Sequence, residues 1–139
     1  AYEIRPRDWS SDVCSSDLAL SLGVPRDRIV LDPGPDFAKT PAQTIEVLRR
    51  LDPVVAFGRP VLLAISRKDF IGALTRRRPR ARDAGTLAAV GAGIDAGGAI
   101  VRVHDVAATH DYLTVRAALR GQLAVPDDLT LAEELRRER

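Results

Sequence analysis

Residues able to do chemistry stand at the ends of three apolar runs. Asp32 follows Ile29-Val30-Leu31, Ser66-Arg67-Lys68 follows the run from Pro60 to Ile65, and Arg102, His104 and Asp105 close the run from Ala99 onward. A carboxylate accepts best from a paired donor edge, while guanidinium and ammonium groups neutralise phosphate oxygens, and an imidazole adds a protonatable donor. Such a set suits a ligand that carries both a donor-rich heterocycle and a phosphate. A single strand-end aspartate is more often a helix cap than a ligand contact. Recurrence at three successive run ends is what gives the pattern weight.

The elements that must position these residues alternate short β-branched runs with longer amphipathic stretches, the pattern of parallel β/α units. In that architecture, ligands bind at the carboxyl ends of the strands. Strands are predicted at Ile29–Leu31, Pro60–Ile65 and Ala99–Val103. After the first, Pro41 starts a helix with Ile45, Val47, Leu48 and Leu51 on its apolar face. A short helix is predicted around Phe70 to Leu74, and an Ala-rich one from about Asp83 to Ala96, closed by Gly97 and Gly98. Another runs from Ala107 to Leu119. Thr130 and Glu133 have capping-box spacing ahead of a last short helix. Gly91, Gly93 and Ala96 fit G-x-G-x-x-A but follow no strand, so close helix packing explains them better than dinucleotide binding.

Composition narrows the function classes. The chain has 139 residues, 45% of them hydrophobic and 29% charged, enough for one globular domain with its own core. A net charge of +2 and 4% aromatics do not describe a nucleic-acid binder. Arg76, Arg77, Arg78, Arg80 and Arg82, broken by Pro79, read as a solvated loop. No apolar run approaches membrane-spanning length, and nothing near Ala1 reads as a secretory signal, so a cytoplasmic protein is expected. One cysteine, Cys14, and two histidines argue against a disulfide framework or a closed zinc site.

Arg7 to Leu18, RDWSSDVCSSDL, holds an SSD repeat, the only Trp and the only Cys. It has no usable apolar period, and it resembles, codon for codon, the translation of a sequencing-library adapter. Residues 1–18 are therefore expected to be a non-native leader with few contacts to the core. Residues 19–123 then hold the β/α units, and 124–139 form a tail.

Within 19–123, three motifs carry a family resemblance. Asp32-Pro33-Gly34 with Phe37 and Lys39, then Ser66-Arg67-Lys68 with Phe70-Ile71-Gly72, then Arg102-Val103-His104-Asp105, resemble the carboxyl-terminal motifs of the dihydropteroate synthases in order and spacing. The resemblance implies an α/β fold: the C-terminal portion, the last three β/α units, of a TIM (β/α)8 barrel. It implies a transferase of folate biosynthesis that condenses p-aminobenzoate with 6-hydroxymethyl-7,8-dihydropterin diphosphate and releases diphosphate. Asp32 would then bind the pterin's amino-pyrimidinone edge, and Lys68 its carbonyl and ring nitrogen. Arg102 would lie against the pterin ring, and His104 would hold the leaving diphosphate. Phe37 would wall the aminobenzoate pocket, with Ser66 and Arg67 also at the substrates. Lys68, Arg102 and His104 are the residues expected to serve catalysis. Magnesium would arrive on the diphosphate, with its protein ligand upstream of Ala19. The implied partners are small molecules and a second subunit of a homodimer, with neither nucleic acid nor membrane.

The chain departs from the family pattern in places. Asp36 stands where a glycine is usual, and Gln43-Thr44 where His-Asn is usual. Asp69 replaces a serine that would help to hold the aminobenzoate carboxylate, and two carboxylates at short range repel. The expected first five β/α units lie outside this sequence, so the chain by itself is expected to be inactive. The alternative reading is a non-catalytic pterin-barrel paralogue acting as a binding or assembly partner.

Overall fold

A computed structural model describes residues 10–137, with side chains described from Ser15 onward. Its elements run α1 (Ser10–Ser21), a 3-10 turn (Arg26–Arg28), α2 (Pro41–Arg49), α3 (Asp52–Val55), β1 (Leu62–Leu63), α4 (Asp69–Thr75), a 3-10 turn (Pro79–Ala81), α5 (Asp83–Asp95), β2 (Ile100–Val101), α6 (Val106–Leu119) and a 3-10 turn (Glu133–Leu135). The chain forms two compact units, one up to Asp105 and one from Val106 onward.

In the first unit the predicted strands are present as three parallel segments. Leu62 pairs with Ile100 and Leu63 with Val101. The first predicted strand is reduced to a single parallel bridge, Leu31 to Val61, with the Leu31 N–H donating to the Pro60 carbonyl and the Leu62 N–H to the Leu31 carbonyl. The expected lengths were too generous. Val30 is 48% exposed, so only one residue of that run has a buried position holding it to a neighbour. The parallel order still places the carboxyl ends of all three segments on one side.

Beneath them lies a core of Leu31, Leu51, Val54, Val61, Leu63, Ile65, Phe70, Ile71 and Val90. Pro60 to Ile65 reads as a continuous apolar run because Val61, Leu63, Ala64 and Ile65 are all buried. Gly93 lies inside α5, where an added Cβ would come within 2.4 Å of Leu63 Cδ1. Gly93 of the G-x-G-x-x-A spacing is thus a packing position that lets α5 approach β1. Helix α2 starts as expected at Pro41, behind a capping box in which Thr40 Oγ1 accepts from the Gln43 N–H and Gln43 Oε1 accepts from the Thr40 N–H.

The capping box expected at Thr130 and Glu133 does not form: Ala132 precedes the 3-10 turn, with no side-chain cap. From Ser10 onward the segment expected to be a leader is helical, as part of α1. Its described side chains are half-buried or exposed, with Leu18 at 59% and Leu20 at 37%. Trp9 and Cys14, singled out in the sequence, lie outside the residues whose side chains are described.

Candidate functional site

The ends of β1 and β2 are tied beyond their strands by the chain's own polar groups. The Arg102 N–H donates to the Leu63 carbonyl at 3.1 Å, and the His104 N–H donates to Ser66 Oγ at 3.2 Å. Ser66 is buried, and its hydroxyl also lies 2.9 Å from His104 Nδ1. One oxygen therefore serves both charge states of the ring. It can donate to Nδ1 of a neutral imidazole protonated at Nε2, and it can accept from Nδ1–H of an imidazolium.

These contacts shape a cleft of about 280 Å³ lined by Ala64, Ser66, Lys68, Arg102, Val103 and His104. Four residues expected at the site thus meet in one cavity. The Lys68 ammonium lies 4.7 Å from the centroid of the Phe37 ring, so Phe37 joins the cleft's edge by a cation–π contact. Asp32 stands at the carboxyl end of the Leu31 bridge but not on the cleft wall. Its Oδ1 accepts from the Gly34 N–H at 2.9 Å, which caps the turn and not a helix, and leaves the second carboxylate oxygen for another donor.

Arg67 departs from the expected role. Its Nε and Nη2 donate to the two oxygens of Asp83 at 2.8 and 3.2 Å, a bidentate pair facing α5 and not the cleft. This hydrogen bonding raises the Arg67 pKa and, from the other side, lowers that of Asp83, with the neighbouring charges adding to both. Arg67 also has φ +58, a left-handed turn on a side chain that bears a Cβ. Its N–H donates to Thr86 Oγ1 at 3.0 Å, and Thr86 is buried. Asp83 and Thr86 hold the turn, and only an acid in the first turn of a predicted helix could have marked Asp83 in the sequence.

The departures of the sequence find structural roles. Asp36 has φ +62, a backbone conformation that glycine adopts without cost. Its Oδ2 accepts from the Asp69 and Phe70 N–H groups, so it caps α4 across 33 residues of chain, and its Oδ1 accepts from Thr44 Oγ1. Thr44 is buried and accepts the Asp36 N–H at 3.0 Å. Asp69 does not stand as an uncompensated charge, because Arg82 Nη1 donates to its Oδ1 at 2.9 Å.

Among the described residues no helix is long and apolar enough to cross a membrane, and no group of three or more His, Cys, Asp or Glu could hold a metal ion. The cleft's hydroxyl, imidazole and two cations include no carboxylate, so they do not suit direct coordination of magnesium. They suit an anion.

Known proteins are similar to this chain in sequence and in fold. A dihydropteroate synthase of Streptococcus pyogenes is 42% identical over 120 residues, 81% of this chain and 45% of its own length. A protein of Mycobacterium leprae named as an inactive dihydropteroate synthase 2 is 37% identical over 107 residues, 77% of this chain and 37% of its own. The crystal structure of the Xanthomonas albilineans dihydropteroate synthase in complex with 7,8-dihydropteroate superposes with a TM-score of 0.76 and 41% identity, over 82% of this chain and 43% of that one. That likeness gives the segment a TIM-barrel architecture. The chain spans less than half the length of the curated relatives it matches. Residues 12–104, more than half of the chain and starting inside the segment expected to be a leader, match the pterin binding enzymes as a family, and the chain belongs to that family.

Proposed function

We propose that the segment is the last three β/α units of a dihydropteroate synthase barrel. The intact protein would join p-aminobenzoate to 6-hydroxymethyl-7,8-dihydropterin diphosphate. In that reaction the C–O bond to diphosphate breaks, the aniline nitrogen bonds to the freed methylene carbon, and the nitrogen gives up a proton. The observation that carries this reading is the convergence of Ser66, Lys68, Arg102 and His104 on one cleft at the carboxyl ends of adjacent parallel strands. Two fixed cations and an imidazole there would stabilise negative charge as it collects on the leaving diphosphate, the usual source of the largest rate gain. Asp32 would turn its second oxygen to the pterin's donor edge, and Phe37 would border the aminobenzoate. Magnesium would arrive bound to the diphosphate. By the same resemblance, the intact protein is a cytoplasmic homodimer.

A second reading, a pterin-binding paralogue without turnover, is favoured by the similarity to the inactive Mycobacterium leprae protein. The two separate in one assay of the protein at its natural length. The synthase reading expects dihydropteroate to form, and Lys68→Ala to lower kcat/KM by about 10²-fold or more, as for loss of one donor to a developing anion. Binding of the pterin diphosphate with no product supports the paralogue. The 139-residue chain is expected to yield no product by itself, and turnover above a Lys68→Ala control would overturn that expectation.

A further inference from the structure

Arg82 is the one arginine of the basic stretch that turns inward. Its side chain is 11% exposed, whereas Arg76, Arg77, Arg78 and Arg80 face solvent. Nη1 donates to the carbonyls of Arg67 at 2.8 Å and Lys68 at 3.1 Å as well as to Asp69 Oδ1, and Nε donates to the Arg77 carbonyl at 2.8 Å. A slot is kept open for it: a Cβ on Gly72 would lie 2.3 Å from the guanidinium carbon. Thr86 Oγ1, the acceptor for the Arg67 N–H, in turn donates to the Arg82 carbonyl at 2.9 Å. Arg82 thus holds the two carbonyls that follow the left-handed φ of Arg67 and, through Thr86, the N–H before it, at the turn from which Lys68 enters the cleft.

Granted the synthase reading of that cleft, we infer that Arg82 is a positioning residue with two effects on the reaction. It fixes the Arg67-Lys68 turn, which aims the Lys68 ammonium, and it neutralises Asp69 beside the place expected for the acceptor's carboxylate. A planar fork is required, because one side chain reaches carbonyls in two directions. The point charge of a lysine would keep the neutralisation and lose the geometry.

The test compares Arg82→Lys, Arg82→Ala and Arg82→Ala/Asp69→Ser, with solvent-facing Arg80→Ala as control. In the protein at its natural length, Arg82→Ala is expected to lower kcat about tenfold to a hundredfold and to raise KM for p-aminobenzoate. The double variant is expected to recover KM and not kcat, and Arg82→Lys to retain KM and lose kcat. Recovery of both by Asp69→Ser would overturn the positioning role, and recovery of neither would overturn the neutralising one. Amide hydrogen exchange on the 139-residue chain gives a readout independent of turnover. Exchange at Lys68 through Phe70 is expected to quicken in Arg82→Ala, less so in Arg82→Lys, and to stay unchanged in Arg80→Ala. Unchanged exchange in Arg82→Ala would overturn the inference even if the protein makes dihydropteroate. Absence of product from the parent, with quickened exchange in the variant, would instead strike the synthase reading alone.

Discussion

The loop after Leu31 and the turn after Ile65 solve the same problem in opposite ways. Each brings chain out of a parallel segment through left-handed residues that are not glycine, Asp36 and Ala38 in the first and Arg67 in the second. The first is held from within around Gly34 and reaches outward at Asp36, to Thr44 and to the start of α4. Asp32 accepts the Gly34 N–H, and Lys39 Nζ donates to the Gly34 and Phe37 carbonyls at 3.0 and 3.3 Å. The second is held from outside, by Arg82, Asp83 and Thr86 at the start of α5. A loop that satisfies its own groups can carry an exposed aromatic such as Phe37. A turn that must aim a cation into a cleft is braced by a rigid helix.

The contrast breaks most readily at Thr86. Thr86→Val keeps the shape and leaves the Arg67 N–H without its acceptor, and it is expected to cost about 1–3 kcal/mol in urea unfolding. A loss inside the ordinary spread of surface substitutions, about 0.5 kcal/mol, would mean that the turn does not depend on α5.

Asp36 sharpens the comparison, because it is the point at which the first loop reaches outward to α4. Asp36→Ala loses the cap and retains the unfavourable φ, for an expected cost of about 1–2 kcal/mol. Asp36→Gly loses the cap while relieving the backbone, and is expected to be the milder of the two in the same unfolding measurement. Equal losses would show that the left-handed conformation there carries no strain.

A smaller effect is expected from acid. The Arg67 hydrogen bonds hold Asp83 below the ordinary carboxylate value of 3.8. A lowered folded pKa contributes stability that is fully present above that ordinary value and is lost as pH falls through the depressed one. The gap in thermal midpoint between the protein and Asp83→Asn is therefore expected to be constant at neutral pH and to close only below about pH 4. A gap that already closes at neutral pH would mean that the Arg67–Asp83 pair does not set it. Least of all is expected from the solvent-facing arginines: Arg78→Ala and Arg80→Ala should each move stability by less than about 0.5 kcal/mol.

Much of this was legible in the residues. The β/α alternation, the helix starting at Pro41, the helix starting at Asp83 and the reading of Gly93 as a packing position follow from local pattern, and the structure has them there. Ser66, Lys68, Arg102 and His104 share a cleft because parallel strands put their carboxyl ends together. The basic stretch was read as one solvated loop, and Arg82 is its exception. Nothing in the spacing of five arginines distinguishes the one that finds backbone carbonyls. The Ser66-Arg67-Lys68 motif marks Arg67, with its neighbours, as a substrate residue. Its φ of +58 turns it to Asp83, and backbone conformation at one non-glycine residue has no reliable sequence mark.

By itself, the sequence determined which residue types stand at the ends of the apolar runs and the order of strand and helix, since those follow from periodicity, capping chemistry and chain direction. Only the tertiary structure decided which of the charged groups remain available to a ligand. Lys68, with the Phe37 ring beside it, lines the cleft, while Arg67 and Arg82 are occupied by partners 5 to 16 residues away. The reason is physical: a guanidinium near a buried turn is driven to the nearest unsatisfied carbonyls and carboxylate, and those are brought within reach only when α5 folds back against the end of β1.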